Sequence, residues 1–171
     1  MIGKSLGIGI AAAAILIFAS LSSRAEGEGD SAALAKALPQ ASILLDQGLK
    51  ASEREGKPIS AKYEVEHGKL QLSVYTMKSD KFSEVIVDHR TGKVAKAEPI
   101  TGGDDLTTAK AQSEAMAKAK RSLEAAASEA AKENTGYRVV SVMPALKDGH
   151  PVADVTLVKG NDWKNVSEKL D

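Results

Sequence analysis

The three histidines are the side chains of this sequence best suited to acid–base or metal chemistry. They are His67, His89 and His150, and each lies in or beside a segment rich in turn-forming residues. Zinc sites in proteins use several ligands at short, regular spacings, such as two histidines one helical turn apart. The sequence has no His-x-x-x-His segment. It therefore favours surface histidines in turns, with no assigned metal ligand, and a metal-binding module is kept as an alternative.

Other catalytic signatures are absent from the part of the chain that follows residue 25. It has no Gly-x-Ser-x-Gly segment, no phosphate-binding glycine loop and no dinucleotide fingerprint. The chain has no cysteine, which excludes disulfides, thiol chemistry and thiolate metal sites. The Asp104-Asp105 pair suits helix capping better than calcium binding, because the alternating acids of a calcium loop are missing. We expect a protein that is not an enzyme and uses no cofactor.

The first 25 residues have the pattern of a secretory signal. A lone cation at Lys4 precedes an uncharged apolar run from Leu6 to Leu21, and Ser23-Arg24-Ala25 places small residues three and one before a cut. The alternative is an uncleaved anchor, but the run is shorter than the roughly 20 residues that span a bilayer. We predict a cleavable signal peptide over 1–25, a periplasmic or secreted protein, and no stable membrane insertion after cleavage.

The remaining chain has the composition of an ordinary globular protein. Of the 171 residues, 43% are hydrophobic and 27% are charged. Removal of residues 1–25 takes away Lys4 and Arg24 and no acid, which leaves 21 basic residues against 23 acidic ones. The cations are interleaved with acids rather than clustered. A nucleic-acid partner is therefore not expected.

A tight reversal stands out in the stretch 82–94. Val85 and Val87 have strand spacing, Asp88-His89-Arg90-Thr91-Gly92 follows, and the apolar pattern resumes at Val94. An aspartate can bind backbone amides one or two residues further on, and a glycine can adopt the positive φ that ends such a turn. We expect structural roles in turns for Asp88 and Gly92, and also for Gly68 and Gly149.

The periodicity of the apolar residues predicts two copies of one structural unit. A helix at about 40–55 precedes alternating strand patterns from Ile59 to Ile100, and a long helix at 108–133 precedes strand patterns from Tyr137 to Leu170. Aligning Gly56 with Gly136 and Gly68 with Gly149 gives nearly constant offsets. The expected fold is α+β, with two repeats of a helix followed by a three- or four-stranded antiparallel meander. Each repeat is small, so we expect the two to pack together or share one sheet.

These residues resemble the PepSY domain. The resemblance is carried by Val85-Ile86-Val87-Asp88 and Thr91-Gly92-Lys93-Val94, after a strand that ends in His67-Gly68-Lys69. The second half is similar to the degenerate second copy of exported two-copy PepSY proteins of Gram-negative bacteria. One departure is the tyrosine often found in the middle strand of the family, since Leu70 or Leu72 stands near its place. The resemblance implies a small α+β domain that inhibits peptidases or mediates contacts outside the cytoplasm.

These observations predict a domain plan and a function. The plan is a signal peptide at 1–25, a flexible leader at 26–38, a PepSY-like unit at 39–100, a linker at 101–105 and a second unit at 106–171. We expect a non-catalytic envelope protein that binds another protein, with a peptidase as the partner class that the resemblance implies. The expected interface is the last strand, with Trp163, Val166 and Leu170. The alternatives are a small-ligand or metal-binding module and a purely structural envelope protein.

Overall fold

The computed structural model describes residues 22–171, with side chains from residue 29 onward. The helices in this range are α1 (Ser22–Ala37), α2 (Leu45–Ser52), α3 (Gly103–Lys118) and α4 (Leu123–Glu133). The strands are β1 (Lys57–Glu66), β2 (Lys69–Lys78), β3 (Lys81–Val87), β4 (Val94–Ile100), β5 (Arg138–Lys147), β6 (His150–Lys159) and β7 (Asp162–Lys169). The fold is α+β, as predicted. None of these helices combines the length and apolar character needed to cross a bilayer. Nearly all of the predicted signal peptide lies outside the described residues.

All seven strands belong to one antiparallel sheet with the order β4-β3-β2-β1-β5-β6-β7. β1 and β2 pair along almost their whole length. The pairing of β1 with β5 at the centre of the sheet is much shorter and joins Ala61 to Val142 and Lys62 to Ser141. The first four strands and the last three therefore meet at a short central seam. β4 and β7 are left as the two edges.

Helices α2 and α4 cover one face of the sheet. Residues paired across neighbouring strands share a face, so Tyr63, Leu72 and Val142 lie on the same side. The Tyr63 hydroxyl donates to the Ile43 carbonyl, just before α2, over 2.8 Å. The side chain of Asn134, which ends α4, accepts a hydrogen bond from Lys164 of β7. The fully buried side chains of this face form the main core.

Helix α3 packs on the opposite face. Its Asp105 accepts a hydrogen bond from the Tyr75 hydroxyl over 2.7 Å, and its Ser113 hydroxyl lies 3.0 Å from the Met77 sulfur. Tyr75 and Met77 alternate with the core residues of β2 and therefore face away from α2. The structure places the sheet between α2 and α4 on one side and α3 on the other.

The single helix predicted over 108–133 is wrong, because the structure has two helices with a break at 119–122. The backbone amides of Lys120 and Arg121 leave the helical pattern and donate to the Leu170 carbonyl, over 2.6 and 3.0 Å. Ser122 then caps α4 by accepting from the Ala125 amide. The break lets the chain pass from one face of the sheet to the other.

The first helical region also differs from the prediction. The helix predicted at about 40–55 is the shorter α2, and a 3₁₀ turn at Leu38–Gln40 precedes it. Residues 26–38, which we expected to be a flexible leader, lie mostly within α1. Leu34 and Ala37 of α1 pack against the core. Most of the predicted linker at 101–105 lies in α3, which begins at Gly103.

Candidate functional site

The predicted turn residues lie in hairpin turns. Asp88 Oδ1 accepts from the amides of Arg90 and Thr91 over 2.9 and 2.8 Å, and Gly92 has φ 71°. The bonds from these two amides hold the pKa of Asp88 below its usual value. Gly68 and Gly149 have φ 75° and 81° in the β1–β2 and β5–β6 turns. These four residues shape the backbone, and none of them points to a reaction.

His67 and His150 lie far apart on the sheet. Because β1 and β5 are antiparallel, the turn that holds His67 and the turn that holds His150 are at opposite ends of the sheet. His150 Nδ1 lies 2.9 Å from Asp171 Oδ2, and this contact lowers the pKa of Asp171. Among the side chains described from residue 29 onward, no three histidines or carboxylates are grouped closely enough to hold a metal ion. His67 and His150 are therefore not brought together.

The predicted interface residues divide into two kinds. Trp163 and Val166 are half-buried on β7, which is a sheet edge. Leu170 requires a correction, since its side chain is fully buried. Its amide donates to the Pro151 carbonyl over 3.0 Å, and its own carbonyl accepts the bonds from the break between α3 and α4. Leu170 is a core residue that fastens the end of β7, and it cannot contact a partner.

An apolar groove between α2 and α4 is the strongest candidate for a binding site. Its volume is about 410 Å³. The residues that line it come from the start of α2, from α4 and from the start of β5, and they are Leu44, Leu45, Asp46, Ala127, Ser128, Ala131, Lys132, Tyr137, Arg138 and Val139. The small side chains of α4 leave the groove open. Charged side chains at its margin give an apolar centre with a polar rim.

Leu44 stands at the margin of this groove. Its side chain is 54% exposed, and no other large apolar side chain in the described part of the chain is classed as exposed. The residue is the N-cap of α2, and its amide is held by the Gln47 side chain over 2.8 Å. The backbone conformation at this position directs Leu44 away from the core side of α2, where Leu45 and Leu49 are buried.

Arg138 forms the floor of the groove at the start of β5. Its terminal nitrogens donate to the carbonyls of Ala41, over 3.2 Å, and Ile43. Its guanidinium lies over the Tyr63 ring, 5.3 Å from the ring centre. Burial raises the pKa of Tyr63, while the nearby guanidinium acts in the opposite direction. Arg138 Nε is buried without a hydrogen-bond partner. The arginine thus fixes the segment before α2, which carries Leu44, against β5.

Sequence reasoning missed this groove. Leu44 and Leu45 both lie within the helix predicted at about 40–55, at positions that fit its helical spacing. Adjacent apolar residues are common on the core-facing side of a helix, so the spacing did not show that Leu44 would be exposed. No sequence signal identified Arg138, because its partners lie almost a hundred positions earlier in the chain.

Comparison of the chain with protein-family models, with curated proteins and with solved structures found no match.

Proposed function

We propose that this chain is a non-catalytic protein of the cell envelope, periplasmic or secreted, that binds another protein through the groove between α2 and α4. The observation that carries the proposal is the exposure of Leu44 beside an apolar groove. Removing a large apolar side chain from water lowers the free energy of the system, so burial of Leu44 by a partner would favour binding. An exposed apolar patch bordered by polar groups is typical of a protein-binding surface.

The rim of the groove supports a protein partner. Asp46 and Lys132 lie on opposite helices at the margin, and Arg138 is held rigidly below them. Such a mixed rim can orient a partner by hydrogen bonds while apolar side chains fill the centre. Because Arg138 is fixed by two carbonyls and by the Tyr63 ring, little side-chain freedom would be lost on binding there.

The repeat interpretation belongs to the same proposal. In each half of the described chain, helices precede an antiparallel meander, and the hairpins at Gly68 and Gly149 occupy matching positions. The two halves meet in antiparallel fashion at β1 and β5, as two copies related by a twofold rotation would. We infer two divergent PepSY-like units, the second of which has one strand fewer. The partner class that this inference favours is a peptidase.

Photo-crosslinking tests the proposal directly. A photoreactive amino acid at position 44 should capture a defined envelope protein. The same group at position 125, which is exposed on α4 but does not line the groove, should capture none. Ser128→Phe, which fills the groove from α4, should abolish the adduct, whereas Ala125→Phe should not. If the adduct at position 44 survives Ser128→Phe, or does not form at all, the groove is not the binding site.

The identity of the captured protein then shows whether the partner is a peptidase. If it is a peptidase, the purified protein should slow its cleavage of an unfolded substrate, and the Ser128→Phe variant should not. A captured protein without peptidase activity would refute the peptidase inference and leave protein binding standing.

The volume of the groove favours one further candidate, a small-ligand module. About 410 Å³ lies within the range of roughly 300–1,000 Å³ that is common for small-molecule sites. An apolar ligand that binds there should raise the melting temperature of the wild-type protein and leave that of Ser128→Phe unchanged. If no compound of an apolar library has this effect, the small-ligand candidate is eliminated.

A further inference from the structure

Strand β7 is an edge of the sheet, and among its outward backbone groups the Lys169 carbonyl accepts a hydrogen bond from Arg121 Nη1 over 2.9 Å. Gly160 and Asn161 form a two-residue turn, so Lys159 and Asp162 should be a hydrogen-bonded pair, and every second residue of β7 then binds β6. The bond from the Leu170 amide to Pro151 fits this alternation. The odd-numbered residues, among them Asn165 and Ser167, therefore direct their backbone groups away from the sheet. An edge of this kind is a template for another strand.

The side chains of β7 are complementary to those of the same strand turned around. If a second β7 runs antiparallel so that Val166 faces Val166, then Lys164 of each strand faces Glu168 of the other. On the other face of the sheet, Trp163 faces Lys169, a favourable contact between an aromatic ring and a cation. Cross-strand pairs of opposite charge stabilise antiparallel strands.

The neighbouring registers lack this match. Moving the second strand by two residues in one direction sets Asp162 against Glu168, which are both acidic. Moving it in the other direction sets Val166 against Glu168 and Lys164 against Leu170, so both charges are left without a counter-charge. A single register thus combines the backbone alternation with charge complementarity.

The opposite edge is less suited to pairing. Pro99 of β4 has no amide hydrogen for a neighbouring strand. Lys96 and Glu98 of β4 already form a salt bridge with each other at 2.7 Å. β4 therefore serves as a matched control edge within the same sheet.

We propose that two copies of this chain pair through β7, antiparallel and with Val166 at the twofold axis, so that the sheets of the two copies become continuous. The pairing is isologous, since the same residues contribute on both sides. It leaves the groove between α2 and α4 outside the contact and does not depend on the function proposed for that groove.

Cysteine crosslinking tests the register, because the chain contains no cysteine. Facing residues of a non-hydrogen-bonded antiparallel pair have Cα atoms about 4.5 Å apart, within the range of a disulfide. The purified Val166→Cys protein should form a covalent dimer under mild oxidation. Ala97→Cys on β4 should stay monomeric. A failure of Val166→Cys to crosslink, or equal crosslinking by both variants, would overturn the proposed register.

Charge reversal tests the interface by sedimentation. Glu168→Lys should weaken the dimer at least tenfold, and Lys164→Glu combined with Glu168→Lys should restore it. Lys96→Glu on β4 should leave the dimer unchanged. Because Lys164 also binds Asn134, the melting temperature of each variant is measured to detect a loss of stability. Asn165→Pro provides a second test, since it removes an outward amide without breaking a bond to β6. A wild-type protein that sediments as a monomer, or a dimer that all these variants leave intact, contradicts the proposal.

Discussion

Replacing Gly48 by alanine should destabilise the protein, although alanine is the better helix former. Gly48 lies inside α2 and is buried. On intrinsic helix propensity alone, the change would raise the free energy of unfolding by about 1 kcal/mol. The added Cβ, however, would lie 2.3 Å from Leu72 Cδ2 and 3.1 Å from Leu72 Cγ. Leu72 is fully buried in the centre of β2, so it has no open space into which to move.

The cost of overpacking decides whether Gly48→Ala lowers or raises the free energy of unfolding. Overpacking a closed core costs about 1–3 kcal/mol, and moving α2 away from the sheet would also disturb neighbouring contacts. We take the upper part of this range, because 2.3 Å is far inside van der Waals contact. The net loss is then about 1–2 kcal/mol, which corresponds to a fall of roughly 2–8 °C in melting temperature for a chain of this size.

Urea denaturation followed by circular dichroism measures this loss. Gly29→Ala in α1 is the matched control, since nothing lies within 4 Å of its added Cβ, and its free energy of unfolding should not fall. In a Leu72→Val background, which removes the obstructing methyl positions, Gly48→Ala should cost less than in the wild type. A higher free energy of unfolding for the single Gly48→Ala variant would refute the packing argument.

Three further perturbations follow from the structure. Arg138→Met keeps the apolar stem but removes two hydrogen bonds from a charged donor, so urea denaturation should show a loss of about 2 kcal/mol, and an unchanged midpoint would count against its fixing role. Burial and the contact with Asp105 raise the pKa of Tyr75 above that in the unfolded chain. The contribution of Tyr75 to stability should therefore be constant below pH of about 10 and fall as pH rises beyond it; a Tyr75→Phe variant with the same alkaline decline would exclude Tyr75 as its source. Gly92→Ala should cost about 1 kcal/mol, because Gly92 has φ 71°, and thermal unfolding without a shift would contradict the strain.

Local patterns in the sequence were sufficient for the strands and turns. The alternation around Val85 and Val87 predicted β3, and Asp88 and Gly92 lie in the reversal that follows it. Turn chemistry acts over a few residues, so a sequence window contains all of its causes. The expectation that the two halves share a sheet followed from the small size of each half, and one seven-stranded sheet is found.

Long-range contacts account for what was missed. The break between α3 and α4 depends on the Leu170 carbonyl, about fifty residues further on, which binds the amides of Lys120 and Arg121. The alanine-rich sequence itself favours an uninterrupted helix. Leu170 itself is buried rather than exposed at the edge. No local pattern contains this information.

The candidate groove was hidden for a related reason. It is lined by residues of α2, α4 and β5, and it exists because the small side chains of α4 meet the segment fixed by Arg138. Because the groove is formed by segments that lie far apart in the chain, no regular spacing of residues in the sequence indicates it. The exposure of Leu44 depends on its place at the N-cap of α2.

A binding titration with the protein captured at position 44 tests the central claim most directly. The purified partner is titrated with the wild type, with Ser128→Phe and with Ala125→Phe, after circular dichroism has shown that all three are folded. If the groove between α2 and α4 holds the partner, Ser128→Phe should weaken binding at least tenfold and Ala125→Phe should bind like the wild type. Equal affinities for all three proteins would contradict the account.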